Sequence, residues 1–170
     1  MINKLIILFS FFCLGCSNEP PTLFELNTES KFTISAGLDN FRTHTFIMRN
    51  IPTRINSVFS LNNENLISGI FASRARIEAP FVNFDFSLIN TVIINIWDPR
   101  FPEDKKEVFF IDLFNNRNHK DLQLFSSLSE VKDILLNNTF DAEVRILFKA
   151  FTPTEVESIL KMNFVAHGQR

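Results

Sequence analysis

The chain has 170 residues, of which 45% are hydrophobic and 21% are charged. This composition is typical of a globular protein, and it excludes an intrinsically disordered chain and a polytopic membrane protein. Seventeen basic and nineteen acidic side chains give a formal net charge of −2, so the charge balance gives no indication of nucleic-acid binding, and we expect no nucleic-acid partner.

Residues 1–15 have the layout of a signal peptide. Lys4 precedes an apolar run of eleven residues from Leu5 to Gly15, which is shorter than the roughly 20 residues that a transmembrane helix needs. A cysteine, Cys16, follows this run directly. The sequence therefore predicts an exported protein whose signal ends just before Cys16.

Leu14-Gly15-Cys16 resembles the lipobox of bacterial lipoproteins, except that Cys13 stands where that family prefers Leu. The resemblance implies that Cys16 carries palmitate or a similar acyl chain and that the mature chain begins there. It also implies a membrane partner, reached through the lipid anchor. The alternative is an ordinary secretory signal that is cleaved elsewhere.

The residues that follow the cysteine bear on where the protein is held. The residue after Cys16 is Ser17 and not Asp, and in this respect the chain resembles lipoproteins of the outer membrane. Ser17-Asn18-Glu19 resembles the acidic surface-export tags of Bacteroidota lipoproteins. The resemblance implies a location in the cell envelope, anchored at the outer membrane. We expect a lipid-anchored spacer over residues 16–30 and a single domain over residues 31–170.

Most of the predicted domain alternates between apolar and polar residues, as β-strands with one buried face do. The predicted strands are 31–38, 43–51, 71–79, 87–97, 107–114, 143–151 and 160–166. The third strand places Arg74, Arg76 and Glu78 on its outer face. In the sixth, Ile146 is predicted to be buried, and Glu143 and Arg145 to be exposed.

Two segments favour helices instead. Ser127 and Glu130 have the spacing of a capping box, and apolar residues at helical spacing, beginning with Leu128, predict a helix over 128–136. Thr152 to Glu155 has the form of a second capping box, which predicts a further turn or two. With few helices and seven or eight strands, we expect an all-β fold, an antiparallel β-sandwich.

Common catalytic motifs are missing from the sequence. It contains neither a glycine-rich phosphate loop nor a G-x-S-x-G motif, and its three histidines, His44, His119 and His167, are widely separated. Each histidine is more simply a packed or surface residue than a metal ligand. We therefore expect a protein that is not an enzyme and that uses no cofactor or resident metal.

The segment 97–106 is the most suggestive candidate for a ligand site. Its residues that could take part are Trp97, Asp98, Arg100, Glu103 and Asp104. The indole could stack on a sugar ring, and the three carboxylates could coordinate Ca²⁺. The simpler interpretation is a proline-rigidified hairpin loop in which Trp97 is buried as a plug, because the alternating carboxylates and the turn glycine of a calcium loop are missing.

Three functions remain open at this stage. The first is a non-enzymatic envelope lipoprotein that contacts other envelope proteins or supports an assembly. The second is an accessory lipoprotein that binds a glycan or a metal through the 97–106 loop. The third, with the least support, is a hydrolase with dispersed carboxylates. Fold class does not decide among them, since all-β domains host all three functions.

Overall fold

The structure, a computed structural model, describes residues 20–59, 65–112 and 121–169. The predicted signal 1–15, the acylation site Cys16 and His119 therefore lie outside the described residues. Eight strands form the domain. They are β1 (Thr22–Ile34), β2 (His44–Pro52), β3 (Ile67–Glu78), β4 (Ile89–Trp97), β5 (Lys106–Asp112), β6 (Asp121–Ser126), β7 (Thr139–Phe148) and β8 (Val156–Gly168).

The helical segments are short. Two single-turn helices, α1 (Ile55–Val58) and α2 (Lys132–Leu135), and one 3₁₀ turn, Phe86–Leu88, lie between the strands. Within the described parts of the chain, no helix has the length and hydrophobicity that crossing a membrane requires.

All eight strands belong to one antiparallel sheet, in the order β1-β8-β3-β6-β5-β4-β7-β2. The sheet curls so far that its two end strands approach each other, and the rings of Phe32 on β1 and Phe46 on β2 lie 5.3 Å apart. No hydrogen-bonded ladder joins β1 to β2, although both strands are described in full. The architecture is thus a nearly closed, barrel-like sheet.

The predicted all-β antiparallel class is confirmed, but the predicted sandwich is wrong. A sandwich needs two separate sheets, whereas here β5 and β6 connect the two halves through the pairs Phe109–Ser126 and Phe110–Phe125. Both architectures produce the same alternation of inward apolar and outward polar residues, so the pattern alone does not distinguish them.

The core fills the interior of the curled sheet. Its largest fully buried side chains are Phe86, Phe109, Phe140, Phe148 and Phe164. Each buried side chain of this size contributes about 1.5–3 kcal/mol relative to leaving it exposed. The interior is therefore a packed core, and binding sites have to be sought on the outer face and at the ends of the sheet.

The register of β7 confirms one prediction and corrects another. Ile146 is fully buried and Arg145 is exposed, as predicted. Glu143, predicted to be exposed, points to the outer face but is buried there, because Lys105 and Asn95 cover its carboxylate. The alternation of apolar and polar residues thus predicts on which face of the sheet a side chain lies, but not whether other side chains cover it there.

Two further boundaries differ from the sequence-based predictions. Residues 22–30, assigned to the spacer, form the first part of β1 and pair with β8. The short strand β6, whose two buried residues are Leu122 and Leu124, was not predicted. In both cases the apolar residues are too few to stand out against their polar neighbours.

The helix predicted over 128–136 is reduced to the single turn α2. The N-cap of α2 is Val131 and not Ser127, and Glu130 accepts a hydrogen bond from the backbone N–H of Lys132, the first residue of α2, at 2.7 Å. The residues before it are held by the sheet instead, because Glu130 forms a bridge with Phe71 of β3. Leu128, expected on the buried helix face, is almost fully exposed.

The second predicted helix is absent. Thr152 does not cap a helix: its hydroxyl donates to the carbonyl of Ser35 and accepts from the N–H of Leu38. These bonds fix the loop that leads into β8, which begins at Val156. The residues of the predicted capping box therefore stabilise the loop before a strand and not a helix.

Candidate functional site

The 97–106 loop joins β4 to β5, and its Trp97 is only 3% exposed. Trp97 follows the core residue Ile96 on β4, so its ring lies on the outer side of the sheet. The ammonium group of Lys105 lies 4.7 Å from the centroid of the ring. Because the indole is covered, it has no open face for a sugar ring, and the structure favours the plug interpretation.

Lys105 also closes a polar network beside the indole. Its Nζ donates to Glu143 Oε2 at 2.7 Å, and Asn95 Nδ2 donates to Glu143 Oε1 at 2.8 Å. Burial raises the pKa of Glu143, but the hydrogen bonds from Lys105 and Asn95 outweigh that effect and leave the pKa below its ordinary value. The carboxylate is therefore ionised and fully engaged in holding the hairpin.

Asp98 is engaged in the same way. Its carboxylate accepts hydrogen bonds from the guanidinium and backbone N–H of Arg100 and from the side-chain amide of Asn137. The hydrogen bonds from Arg100 are the main cause of the lowered pKa of Asp98. Two of the five predicted site residues thus hold each other in the turn.

Glu103 and Asp104, the other two predicted carboxylates, are exposed. Among the described residues, no three acidic, histidine or cysteine side chains form a group that could hold a metal ion. The structure therefore does not gather Asp98, Glu103 and Asp104 into the calcium site that the sequence left open.

A different feature is a groove of about 590 Å³ on the outer face of β1, β8, β3 and β6. Its outward-pointing side chains alternate with core residues along each strand. They are Asn27, Glu29, Arg74, Arg76, Gln123, Lys161 and Asn163. We call this concavity the basic groove.

Strand register arranges these side chains in two neighbouring rows. One row runs from Asn27 through Asn163 to Arg74. The other runs from Glu29 through Lys161 and Arg76 to Gln123. Neighbouring strands are about 4.8 Å apart, so the side chains of a row are within reach of one small ligand.

Arg54, at the N-terminus of α1, adds a fourth cation to the lining. Its backbone is left-handed, with φ of 56°, a conformation that costs a residue with a side chain about 1–2 kcal/mol. The carbonyl of Arg54 accepts from both the N–H and the hydroxyl of Ser57. These bonds hold Arg54 in the conformation that brings it to the groove.

An exposed aromatic pair lies on the same outer face. Phe110 of β5 and Phe125 of β6 are direct cross-strand neighbours, with ring centroids 6.3 Å apart. On the other side of Phe110, its partner on β4 is the half-buried Ile93. We call these three residues the aromatic row. It adjoins the basic groove, since Gln123 and Phe125 share one face of β6.

Sequence reasoning did not find either surface. It placed Arg74 and Arg76 on an outer strand face, which is correct, but the other lining residues come from four separate segments of the chain. Phe125 belongs to β6, the strand that was not predicted. Only the sheet topology brings these residues together.

Comparison with known proteins gives no further guide to the site. No family model matches the chain, and no curated protein matches it.

Proposed function

We propose that the protein is a non-enzymatic lipoprotein of the cell envelope that acts by contacting other envelope proteins. The aromatic row is the observation that supports this function best. Phe125 is 64% exposed, and it forms a contiguous apolar surface with Phe110 and Ile93. Exposed apolar patches mark interaction sites, and aromatic residues are enriched at protein interfaces.

The proposed anchor is an acyl chain on Cys16, which tethers the domain to the outer membrane. This part of the proposal rests on the resemblance of Leu14-Gly15-Cys16 to a lipobox. Replacement of Cys16 by Ala removes the acylation site, and we expect the variant to incorporate no labelled palmitate and to leave the membrane fraction. A mature chain that begins at another residue would contradict the proposal.

Photo-crosslinking in intact cells tests the interaction surface. A photoreactive amino acid replaces Phe125 in one variant and Phe101 in another, a control of similar exposure at 62%. We expect defined crosslinks to envelope proteins from position 125 and much weaker ones from position 101. Equal crosslinking at both positions, or none at 125, would show that the aromatic row is not a contact surface.

A glycan or metal site in the 97–106 loop has less support. Its indole is covered, and its best-placed carboxylate is bound to Arg100. We assign it instead to stabilising the β4–β5 hairpin next to β7.

A further inference from the structure

The basic groove carries more positive charge than its own ion pairs neutralise. Arg76 contacts Glu78 at 2.5 Å and Asp121 at 3.7 Å, and Lys161 contacts the same Glu78 at 2.8 Å. Arg54 and Arg74 are exposed, and neither has an ion-pair partner among the described residues. Two guanidinium groups are therefore available at the groove for a negatively charged ligand.

The floor of the groove contains an oxygen atom without a partner. Asn163 is 4% exposed, and its Nδ2 donates to Glu25 Oε2 at 3.0 Å and to Asn27 Oδ1 at 2.9 Å. Because an ionised carboxylate only accepts hydrogen bonds, Glu25 fixes the amide in this orientation. The Oδ1 atom of Asn163 is left with no donor among the described residues.

A buried polar atom without a hydrogen bond costs about 1–3 kcal/mol, so this oxygen favours an arriving donor. Glu29, which also lines the groove, is a second acceptor. A suitable ligand must therefore combine negative charge for the two arginines with hydroxyl donors for Asn163 and Glu29. Because this oxygen is buried, a ligand reaches it only when the side chains over it move; Arg74 is the register neighbour of Asn163 on β3.

We propose that the basic groove binds an acidic saccharide, with its carboxylate on Arg54 and Arg74 and its hydroxyl groups on Asn163 and Glu29. The groove volume of about 590 Å³ lies within the range of about 300–1,000 Å³ that is usual for small-molecule sites. This site adjoins the aromatic row but includes none of its residues, and it does not depend on the proposed protein contacts.

Two other anionic ligands fit the groove less well. Inorganic phosphate supplies charge but occupies little of the two rows of side chains. An acidic peptide supplies many carboxylates but few hydroxyl donors. A uronic acid disaccharide has both kinds of group, and its length suits a groove that crosses several strands.

Isothermal titration calorimetry of the full chain, purified in a non-ionic detergent, tests the proposal. The probes are digalacturonate, the neutral disaccharide galactobiose, inorganic phosphate and tetraglutamate. We expect digalacturonate to bind at least about tenfold more tightly than each of the other three, since only it satisfies both the cations and the acceptors.

Matched variants locate the site. Arg54→Gln and Arg74→Gln should each weaken digalacturonate binding about tenfold. Arg145→Gln removes the same charge from an exposed position on β7, outside the groove, and should leave binding unchanged.

Four results would overturn the proposal. Phosphate binding as tight as digalacturonate binding would indicate a simple anion site, and equal binding of tetraglutamate would indicate a site for acidic peptides. Failure of digalacturonate to bind, or an equal loss of binding in the Arg145 variant, would exclude the groove as a saccharide site. None of these results bears on crosslinking at position 125, so the two proposals fail independently.

Discussion

Glu143 shows how a charged residue on the outer face of a sheet can stabilise the fold. Its carboxylate is buried, yet hydrogen bonds from Lys105 and Asn95 keep its pKa below the ordinary value of 4.5. A carboxyl group whose pKa is lower in the folded state than in the unfolded state stabilises the fold while it is ionised. Its contribution is fully present above the unfolded-state pKa, near 4.5, and is lost as the pH falls through the folded-state pKa.

We therefore expect Glu143→Gln to lower the free energy of unfolding at neutral pH by about 1 kcal/mol, because the charge-assisted bond to Lys105 is lost. The difference from the unchanged protein should shrink as the pH falls below about 4. Urea unfolding at several pH values measures both effects.

Glu103→Gln serves as the control, since Glu103 is exposed in the same hairpin. It should alter stability by less than about 0.5 kcal/mol at any of these pH values. A loss for Glu143→Gln that is the same at low and neutral pH would contradict the pKa argument.

The residues of the candidate loop show how far sequence reasoning reaches at this scale. The spacing of Asp98 and Arg100 is visible in the sequence, but it does not reveal that the two side chains bind each other. Likewise, a tryptophan before a polar loop can be open or covered, and here Trp97 is covered and has Lys105 over its ring. Residue type therefore identified groups capable of binding, while their internal partners removed them from that role.

At the scale of elements, β1 carries the main correction to the sequence-based prediction. The segment 22–30 contains few apolar residues and follows two prolines, which is typical of a spacer. Its pairing with β8 nevertheless places Leu26 in the core, at 2% exposure. A strand was predictable from the sequence where apolar and polar residues alternate over several positions, as in β7. It was not predictable where the strand forms by pairing with a segment distant in the sequence, as β1 does.

Replacement of leucine by alanine at two positions of β1 checks this assignment. Leu26→Ala should lower the free energy of unfolding by about 2–5 kcal/mol, because it leaves a cavity in a packed core. Leu23→Ala, at a position that is 39% exposed, should cost less than about 1 kcal/mol.

Urea or thermal unfolding of both variants gives the comparison. Similar small losses at the two positions would mean that this part of the chain is a spacer after all.

At the scale of the whole molecule, the sheet is continuous except between β1 and β2. The sequence predicted the class of fold because alternation reports on burial, but closure depends on strand order and curvature, which alternation does not encode. The basic groove was unpredictable for the same reason, since its lining comes from five separate elements or loops.

The strand order leads to a prediction for amide hydrogen exchange. β8, β4 and β7 each have a hydrogen-bonded neighbour on both sides, whereas β2 pairs with β7 alone. Amides that point from β2 toward β1 lack a ladder partner, so we expect every second amide of β2 to exchange rapidly.

Amides in β8, β4 and β7 should instead exchange at the slow rate set by global unfolding. Exchange measured by NMR resolves the individual positions. Uniform slow exchange along β2 would show that the sheet closes completely in solution.

The gap between β1 and β2 also affects whether neighbouring copies of the protein can associate through their strand edges. An exposed strand edge invites pairing with an edge of another molecule, which leads to aggregation. Here the two unpaired edges belong to strands that approach each other, with Phe32 against Phe46, so each edge shields the other from neighbouring molecules. On the proposed lipid anchor, copies of the domain would collide often in two dimensions, and this arrangement keeps neighbours from joining into a shared sheet.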